Sequence, residues 1–480
     1  MNPDNVDFCA RDKRNYGENT GFLLTRTLAF LASWAFAAPV ALVNTLINAP
    51  KAVSVGKESK TIGGKKLSFP PVGPALVEVK PLNEREFDLV MYGATGFTGG
   101  LACKYLAKQY GKSIKWAIAG RRKDALEKVK QECIKINPDL KDLEIIQVDS
   151  SSDEQLQAMC VRSRVVITTV GPFVNYGTPL IRASIATKSN LCDITGEADW
   201  VAGLIDNYDD EARKAGSKLV SFCGHDSIPW DLSTYILAKK LKEKGEDLVE
   251  IEFIDATVSA PSGGTLESIM EYPIGGYKPK HSKFNPLRRA DDGTESPFRL
   301  VNKSHLLPVY TSTKEWAGPF VMSMVNGKVV ERSNALNGYG QKVVFKEHRA
   351  AESYSSVIGR YLELAAAGPI LLLPPSLKHK FLPQSGEGPT EEAMENGFLQ
   401  VTGMATGEKG SKIASRLYFR YDAGYRETAR MLVETGLTVA LTPEKCHRQS
   451  GILTPGSCCA EALFQRLLNT GTEFCFVSNL

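Results

Sequence analysis

Between Phe87 and Leu106 the chain reads FDLVMYGATGFTGGLACKYL: an apolar run, a glycine-spaced turn and a helix-forming stretch in immediate succession. The three glycines fall at G-x-x-G-x-x-G spacing, Gly93, Gly96 and Gly99. In such a turn the first glycine permits the tight bend, the second lets backbone approach a pyrophosphate, and the third lets the helix pack on the strand. The helix N-terminus then faces the anion. The expectation is a strand ending at Tyr92, a cofactor loop over Gly93, Ala94, Thr95, Gly96, Phe97, Thr98 and Gly99, and a helix opening a dinucleotide-binding unit. A unit of this kind ordinarily begins its chain, yet Phe87 stands well inside this one.

Strand and helix patterns alternate from there to about residue 235, which predicts a doubly wound parallel Rossmann sheet of about six strands over 86–235. The second strand, IKWAIAGRR, ends in Arg121 and Arg122, where a cofactor with a free ribose would meet an acid. Two guanidiniums suit a 2′-phosphate, so NADPH is favoured over NADH; the alternative is that they open a solvated helix. Asp149, closing the third strand, is placed at the adenine end. Gly171 and Pro172, closing the fourth, are placed at the nicotinamide end, because ligands lie at the carboxyl ends of parallel strands.

Chemistry is sought at the same edge. Tyr176 with Asn175, Glu197 in DITGE, and His225 with Asp226 and Ser227 all follow strand ends. A histidine beside Asp and Ser can move a proton during hydride transfer, so His225 and Tyr176 are the catalytic candidates. The alternative is that Asp226 or Ser227 caps the helix beginning near Ile228, with Pro229 in its first turn. Tyr235 and Lys239 have Y-x-x-x-K spacing but follow the sixth strand, and they read as one face of a helix. There is no G-x-S-x-G elbow, no H-E-x-x-H and no Cys-x-x-Cys pair, so no metal site is expected and reduced, structural thiols are the default for the ten cysteines.

The chain ahead of this unit has a different character. From Thr27 to Pro50 there is no charge, and Leu28–Val43, marginal by itself, becomes long enough with NTLI, as Leu28–Ile47, to supply the about 20 residues that span a bilayer. Pro39 near its middle favours a kinked span or a hairpin in one leaflet. A cleaved targeting signal is the competing reading, though the leader carries four acids and three bases where a signal has a short positive region; an ordinary buried helix is a third. Residues 1–50 are thus read as leader and membrane anchor, and 51–85 as a basic, proline-stiffened linker. Its lysines favour anionic lipid and keep the following domain on the cytosolic side. Lys51, Lys57, Lys60, Lys65, Lys66 and Lys80 outweigh Glu58 and Glu78, which accounts for the whole formal charge of +4. The remainder is near neutral, and nucleic acid is not an expected partner.

Taken together, YGATGFTG, AGRR, VGPFVNYGTPLIRAS, CDITGE, CGHDSIPWD, SGGTLES, AGYRETARMLVETGLTVAL and GILTPGSC resemble the saccharopine dehydrogenase-like oxidoreductases, whose bacterial relatives are trans-acting enoyl reductases. The likeness runs from Phe87 to the C-terminus. It implies a Rossmann domain followed by a second domain on a mixed sheet, a reductase role in lipid or glycolipid synthesis, and lipid-droplet or membrane association. The residues agree: VEIEFIDATVSA, GFLQVTGMATG and KIASRLYFRYD alternate as antiparallel strands. An α+β substrate or dimerisation-type domain is expected over 236–450, with a helix and strand in 451–480 completing the fold. SGGTLES is read as a helix start able to face an oxyanion, or as a plain capped helix. AAAGPILLLPPSLKHK is read as an apolar loop for a lipid surface or lipid cleft, or as domain interface.

Two functions follow as expectations. One is an NADPH-dependent enoyl or keto reductase of a lipid-like substrate at a membrane, endoplasmic reticulum or lipid-droplet surface, possible as a homodimer. The other is a dinucleotide-binding structural or sensor protein without turnover.

Overall fold

The computed structural model describes residues 67–477, apart from 226, 259–277, 279, 281–282, 306, 321, 372–386 and 449. The segments Leu28–Ile47 and SGGTLES, the side chain of Asp226 and the chain from Leu372 to Lys380 lie outside these. Among the described residues no helix is long and apolar enough to cross a membrane.

The first sheet is built from β1 (Phe87–Tyr92), β2 (Trp116–Gly120), β3 (Glu144–Gln147), β4 (Ser163–Thr168), β5 (Asn190–Asp193) and β6 (Lys218–Val220). Between them run α1 (Phe97–Gln109), α2 (Lys123–Ile136), α3 (Asp153–Cys160), α4 (Phe173–Ala186) and α5 (Ala198–Ala215). The strands are parallel, in the order 6-5-4-1-2-3. Each central strand is apolar on both faces, as a sheet covered on both sides demands. Leu89, Met91, Ile118, Val165 and Ile167 feed one core, while Val90, Ala117, Ala119 and Val166 feed the other.

Helix α6 (Ile228–Glu243) leads into a second sheet. It comprises β7 (Leu248–Val258), β8 (Arg299–Asn302), β9 (Val309–Tyr310), β10 (Trp316–Pro319), β11 (Lys342–Ala351), β12 (Phe398–Gly407) and β13 (Lys412–Phe419), with α7 (Ser323–Asn337), α8 (Tyr354–Leu371) and α9 (Glu391–Asn396) among them. Strands β8 and β7 run parallel to β11, and the other pairings are antiparallel, so the sheet is mixed.

The chain then returns through α10 (Thr428–Leu441) to the first sheet. There β14 (Gly451–Leu453) pairs parallel with β6 as a seventh strand, beyond the six expected. After α11 (Ala460–Asn469), β15 (Glu473–Val477) joins β13 at the edge of the second sheet. Helix α10 can lie directly on β1 and β4 because Gly436 faces them: a Cβ there would overlap Ile167. Among the described residues eight cysteines are buried free thiols, whereas Cys475 is disulfide-bonded and departs from the reduced state expected of all ten.

Residues 67–80, expected as a linker, form a strap held against the first sheet's helices. Leu76 N donates to Gln157 Oε1 (2.6 Å), Gln157 Nε2 to Pro74 O, Arg182 Nε to Pro71 O, and the Tyr208 hydroxyl to Pro70 O. Prolines lack N–H groups and leave their carbonyls to be satisfied by side chains, which explains why a proline-rich stretch docks without forming a strand. Phe69 closes the contact by seating its ring over Gly203 of α5. Just beyond the strap, the buried guanidinium of Arg85 donates to the carbonyls of Cys160, Ser163 and Thr187 and to Ser189 Oγ, pinning the start of β1. A leucine at Gly203 would expel the Phe69 ring. Gly203→Leu is therefore expected to lower stability by about 1–2 kcal/mol, less than full burial of a Phe because Phe69 is half-buried and leucine is the better helix former. It should also expose the strap to protease, as Phe69→Ala would. Unchanged melting and unchanged cleavage in both variants would show that the ring does not hold the strap.

Candidate functional site

The glycine turn has the conformation its spacing requires. Gly93 sits at φ +92°, a region open to glycine, and a Cβ there would stand 2.8 Å from Val170 Cγ2. Its N–H donates to Ala119 O and its carbonyl accepts from Gly96 N at 3.0 Å, which closes the bend. A Cβ on Gly99 would overlap the Gly93 carbonyl. Gly96 caps α1 with no side-chain hydrogen bond, so the first-turn amides of α1 face the turn, as an anion site needs. A Cβ on Gly96 would meet nothing closer than 3.4 Å, at the Gly93 carbonyl. The cradle thus fits a pyrophosphate, and two of its three glycines are required by the fold itself.

At the corner expected to meet the adenine, Arg121 and Arg122 emerge exposed after β2, with Gln147 Nε2 donating to Arg121 O. The Asp149 carboxylate accepts from the N–H and hydroxyl of Ser151, and these bonds hold it below the usual carboxylate range. Tyr92, buried under this corner, has its phenol pushed up to about 12, chiefly by burial. Arg121 acts electrostatically on both groups, which places it with Asp149 and Tyr92 at one corner of the sheet; Arg122 follows it in sequence and caps α2.

At the other end, Thr169, Val170, Gly171 and Pro172 follow β4 and lie against the glycine turn through Thr169 and Val170. Pro172 caps α4, and the Glu197 carboxylate accepts from the N–H groups of Phe173 (2.9 Å) and Val174 (2.6 Å). Glu197 is therefore committed to capping α4. Tyr176, on the first turn of α4, is nearly half exposed and borders a small cavity of about 10 Å³, shared with Asp193 and Trp200. Burial pushes the Asp193 carboxyl up to about 6, against the pull of the Thr195 N–H and Ser221 hydroxyl.

His225 is buried beside Trp230, with ring centroids 5.6 Å apart, and its backbone N–H donates to Thr428 Oγ1. Trp230 in turn packs on Phe320, and Met322 approaches within 3.8 Å of where a Cβ on Gly196 would stand. From above, the ring of Tyr425 meets Phe97 of the loop edge-on at 5.3 Å, and Gly388 lies on the Phe97 ring. A π-helical turn, Ala423–Glu427, sets Tyr425, with Asp422 accepting from the Tyr425 N–H. Tyr235 and Lys239 do lie on one face of α6: Tyr235 stacks on His447, and Lys239 pairs with Glu461.

No sequence signal singles out Trp230, Phe320, Met322 or Tyr425 as a site residue. Trp230 and Tyr425 sit inside the motifs CGHDSIPWD and AGYRETAR, so their neighbourhood was marked; Phe320 and Met322 lie in a connection with no motif.

No protein-family model matches the chain. A Mycobacterium tuberculosis protein provisionally named a trans-acting enoyl reductase is 32% identical over 412 residues, 81% of this chain and 97% of its own. The trans-acting enoyl reductases of Mycobacterium bovis and Mycobacterium leprae are each 31% identical, with the same coverage. Among solved structures, apo saccharopine dehydrogenase (L-Glu forming) from Saccharomyces cerevisiae aligns with a TM-score of 0.45 at 12% identity, over 81% of this chain and 99% of that one.

The glycines divide into two kinds, and substitution separates them. Gly96→Ala is expected to keep stability within about 0.5 kcal/mol, since the backbone there is ordinary and the space is open, while weakening dinucleotide binding at least tenfold by filling the ligand's approach. Gly99→Ala should lower the melting temperature as well. Binding isotherms beside melting curves check this, and a Gly96→Ala protein that binds normally would remove the pyrophosphate from this turn.

Proposed function

As the chain belongs to the saccharopine dehydrogenase-like oxidoreductases, with trans-acting enoyl reductases as its relatives, we propose that it is an NADPH-dependent reductase of an apolar, lipid-like substrate. The observation that carries this is the glycine turn, folded so that Cβ atoms are barred at Gly93 and Gly99 and space stays open at Gly96. The turn and the α1 amides would hold the pyrophosphate, and Arg121 and Arg122 the 2′-phosphate. The bound nicotinamide supplies a hydride. Gly171 and Pro172 would border its ring, and the apolar wall of Trp230, Phe320 and Met322 would keep water from the reacting carbon. His225 and Tyr176 are the proton-exchanging groups of this edge, His225 held in place by Thr428 and Trp230.

A lipid surface as the place of action is supported by the far edge of the second sheet. Tyr310, Trp316 and Tyr354 form a ring-to-ring chain with 5.4 Å between successive centroids. Tyr310 and Tyr354 are more than half exposed, as is the nearby Leu307; amphipathic aromatics of this kind suit a membrane interface. From this edge α8 departs, and the sequence from Leu364 to Leu377 has no charge. With Leu28–Ile47 as anchor, the reductase would work from the cytosolic face of the endoplasmic reticulum or a lipid droplet.

The test is titration with NADPH and NADH, followed by oxidation assays with enoyl and keto acyl lipids. An Arg121→Ala, Arg122→Ala double variant should lose at least tenfold in NADPH affinity with NADH binding unchanged; retained preference would refute the phosphate assignment. Tight binding without turnover across the panel would favour a sensor. Deleting residues 21–50 should release the protein from membranes, and persistent attachment would move the anchor to another part of the chain.

A further inference from the structure

Strands β7 and β11 carry two acids on the face that packs against α6. Alternate residues Ile251, Phe253 and Asp255 of β7 lie alongside Phe345, Glu347 and Arg349 of β11, with Arg349 opposite Asp255 and Glu347 opposite Phe253. Asp255 and Glu347 are completely buried. One oxygen of each is held by a neutral donor: Trp230 Nε1 to Asp255 Oδ2 at 3.1 Å, and Asn326 Nδ2 to Glu347 Oε1 at 2.8 Å. Asp255 Oδ1 receives no N–H or O–H from the described residues. The Glu347 carboxyl, on the same face of the adjacent strand, is a hydrogen-bonding neighbour of the Asp255 carboxyl.

Two buried carboxyl groups in contact cannot both ionise at reasonable cost, and a proton between them satisfies both. Burial holds the Asp255 carboxyl well above its ordinary range, in keeping with this. Among the described residues, the groups facing the pair do not supply a second counter-charge. Arg349 of β11 acts on Asp255 but donates to Thr257 O. Helix α7 contributes the neutral Asn326, β12 places Val401 opposite Asp255, and α6 contributes Trp230, whose ring packs against His225.

We propose that Asp255 and Glu347 hold a single proton between them and, through Trp230, fix the position of His225, so that loss of the shared proton sets the alkaline limit of the site. The indole is the link: its N–H is anchored on Asp255 while its ring bears on His225 and Phe320. When the pair becomes doubly charged, the two carboxylates repel in a dry interior, and the anchor of Trp230 moves with them. Both acids are positioning residues in this scheme. Only the kinetic arm of the test rests on the reductase reading.

Glu347→Gln and Asp255→Asn are the variants of choice. In each, the new amide donates to the remaining carboxylate and its oxygen keeps the existing donor, so the one-proton arrangement is reproduced at every pH. In the native protein the folded state holds a proton that the unfolded chain releases near pH 4. The stability tied to it is therefore full at low pH and lost as pH rises towards the folded value. Melting temperatures between about pH 5 and pH 9 should fall more steeply for the native protein than for either variant. The alkaline limb of kcat should move up by about one pH unit or more in the variants, with KM for NADPH within twofold. If one variant does not fold, the other makes the same comparison. Parallel melting curves for native and variant proteins would overturn the shared proton. Flattened melting curves with an unmoved alkaline limb would overturn its link to His225. Absence of turnover would count against the reductase reading, and the melting curves would still decide the pair.

Discussion

The buried carboxylate of Asp231 fastens the two sheets to each other. It stands near the start of α6, fully buried, and accepts from the Ser333 hydroxyl of α7 and from Gly456 N just after β14. A Cβ on Gly456 would collide with it. Burial drives its carboxyl up to about 6, so the ionised form persists at neutral pH through those donors. Three distant stretches of chain meet at one charge. One carries the site histidine's helix, one belongs to the second sheet, and one returns to complete the first. Leaving such a group unpartnered costs several kcal/mol, so the return of the C-terminal chain is a condition of the cleft and not an appendage to it.

A parallel joint lies on the other side of β14. Asp209 of α5, again fully buried, accepts from the N–H of Ile452 and lies among Arg213, Arg289 and Arg332. Arg213 also pairs with Asp291 and Arg289 with Asp210, and carbonyls take the remaining donors, Arg332 donating to Ile452 O and Arg289 to Ile205 O. Together the two aspartates clamp a three-residue strand whose own ladder is too short to hold it. They explain how GILTPGSC can be a sheet strand although it lies more than two hundred residues from its partner β6.

That distance also marks what the sequence can and cannot disclose. The glycine turn, the six consecutive strands and the β12–β13 hairpin were legible because each rests on local spacing: glycine intervals, apolar runs, period-two alternation. A seventh strand of three residues carries no period. The strap over α5 has the sequence of a linker because its contacts are prolyl carbonyls meeting Gln157, Arg182 and Tyr208, a pattern with no sequence signature. At the site, the loop, Arg121, Arg122 and the residues after β4 were placed by rule, whereas Phe320 and Met322 come from a connection in the other half of the chain. Asp255 and Glu347 did leave a trace. Each continues the inward-facing register of its strand, after Ile251 and Phe253 and after Phe345, and an acid in that register has to find a partner within the core.

The same reasoning decides where on the first sheet an anion can sit. Helices α1 and α4 begin at the ends of the neighbouring strands β1 and β4, each presenting unsatisfied N–H groups and the positive end of a helix dipole. At α4 the chain answers this with its own Glu197, whose two oxygens take the amides of Phe173 and Val174. At α1 the capping position is Gly96, which has no side chain to offer, and the turn before it is shaped by glycines that keep backbone bare. A carboxylate already bound at one helix start and bare amides at the next direct a pyrophosphate to α1. The adjacent filled site, carrying a negative charge of its own, holds the second anion-binding helix end closed, and under the proposed function the edge beyond β4 would be left to the dihydronicotinamide and the substrate.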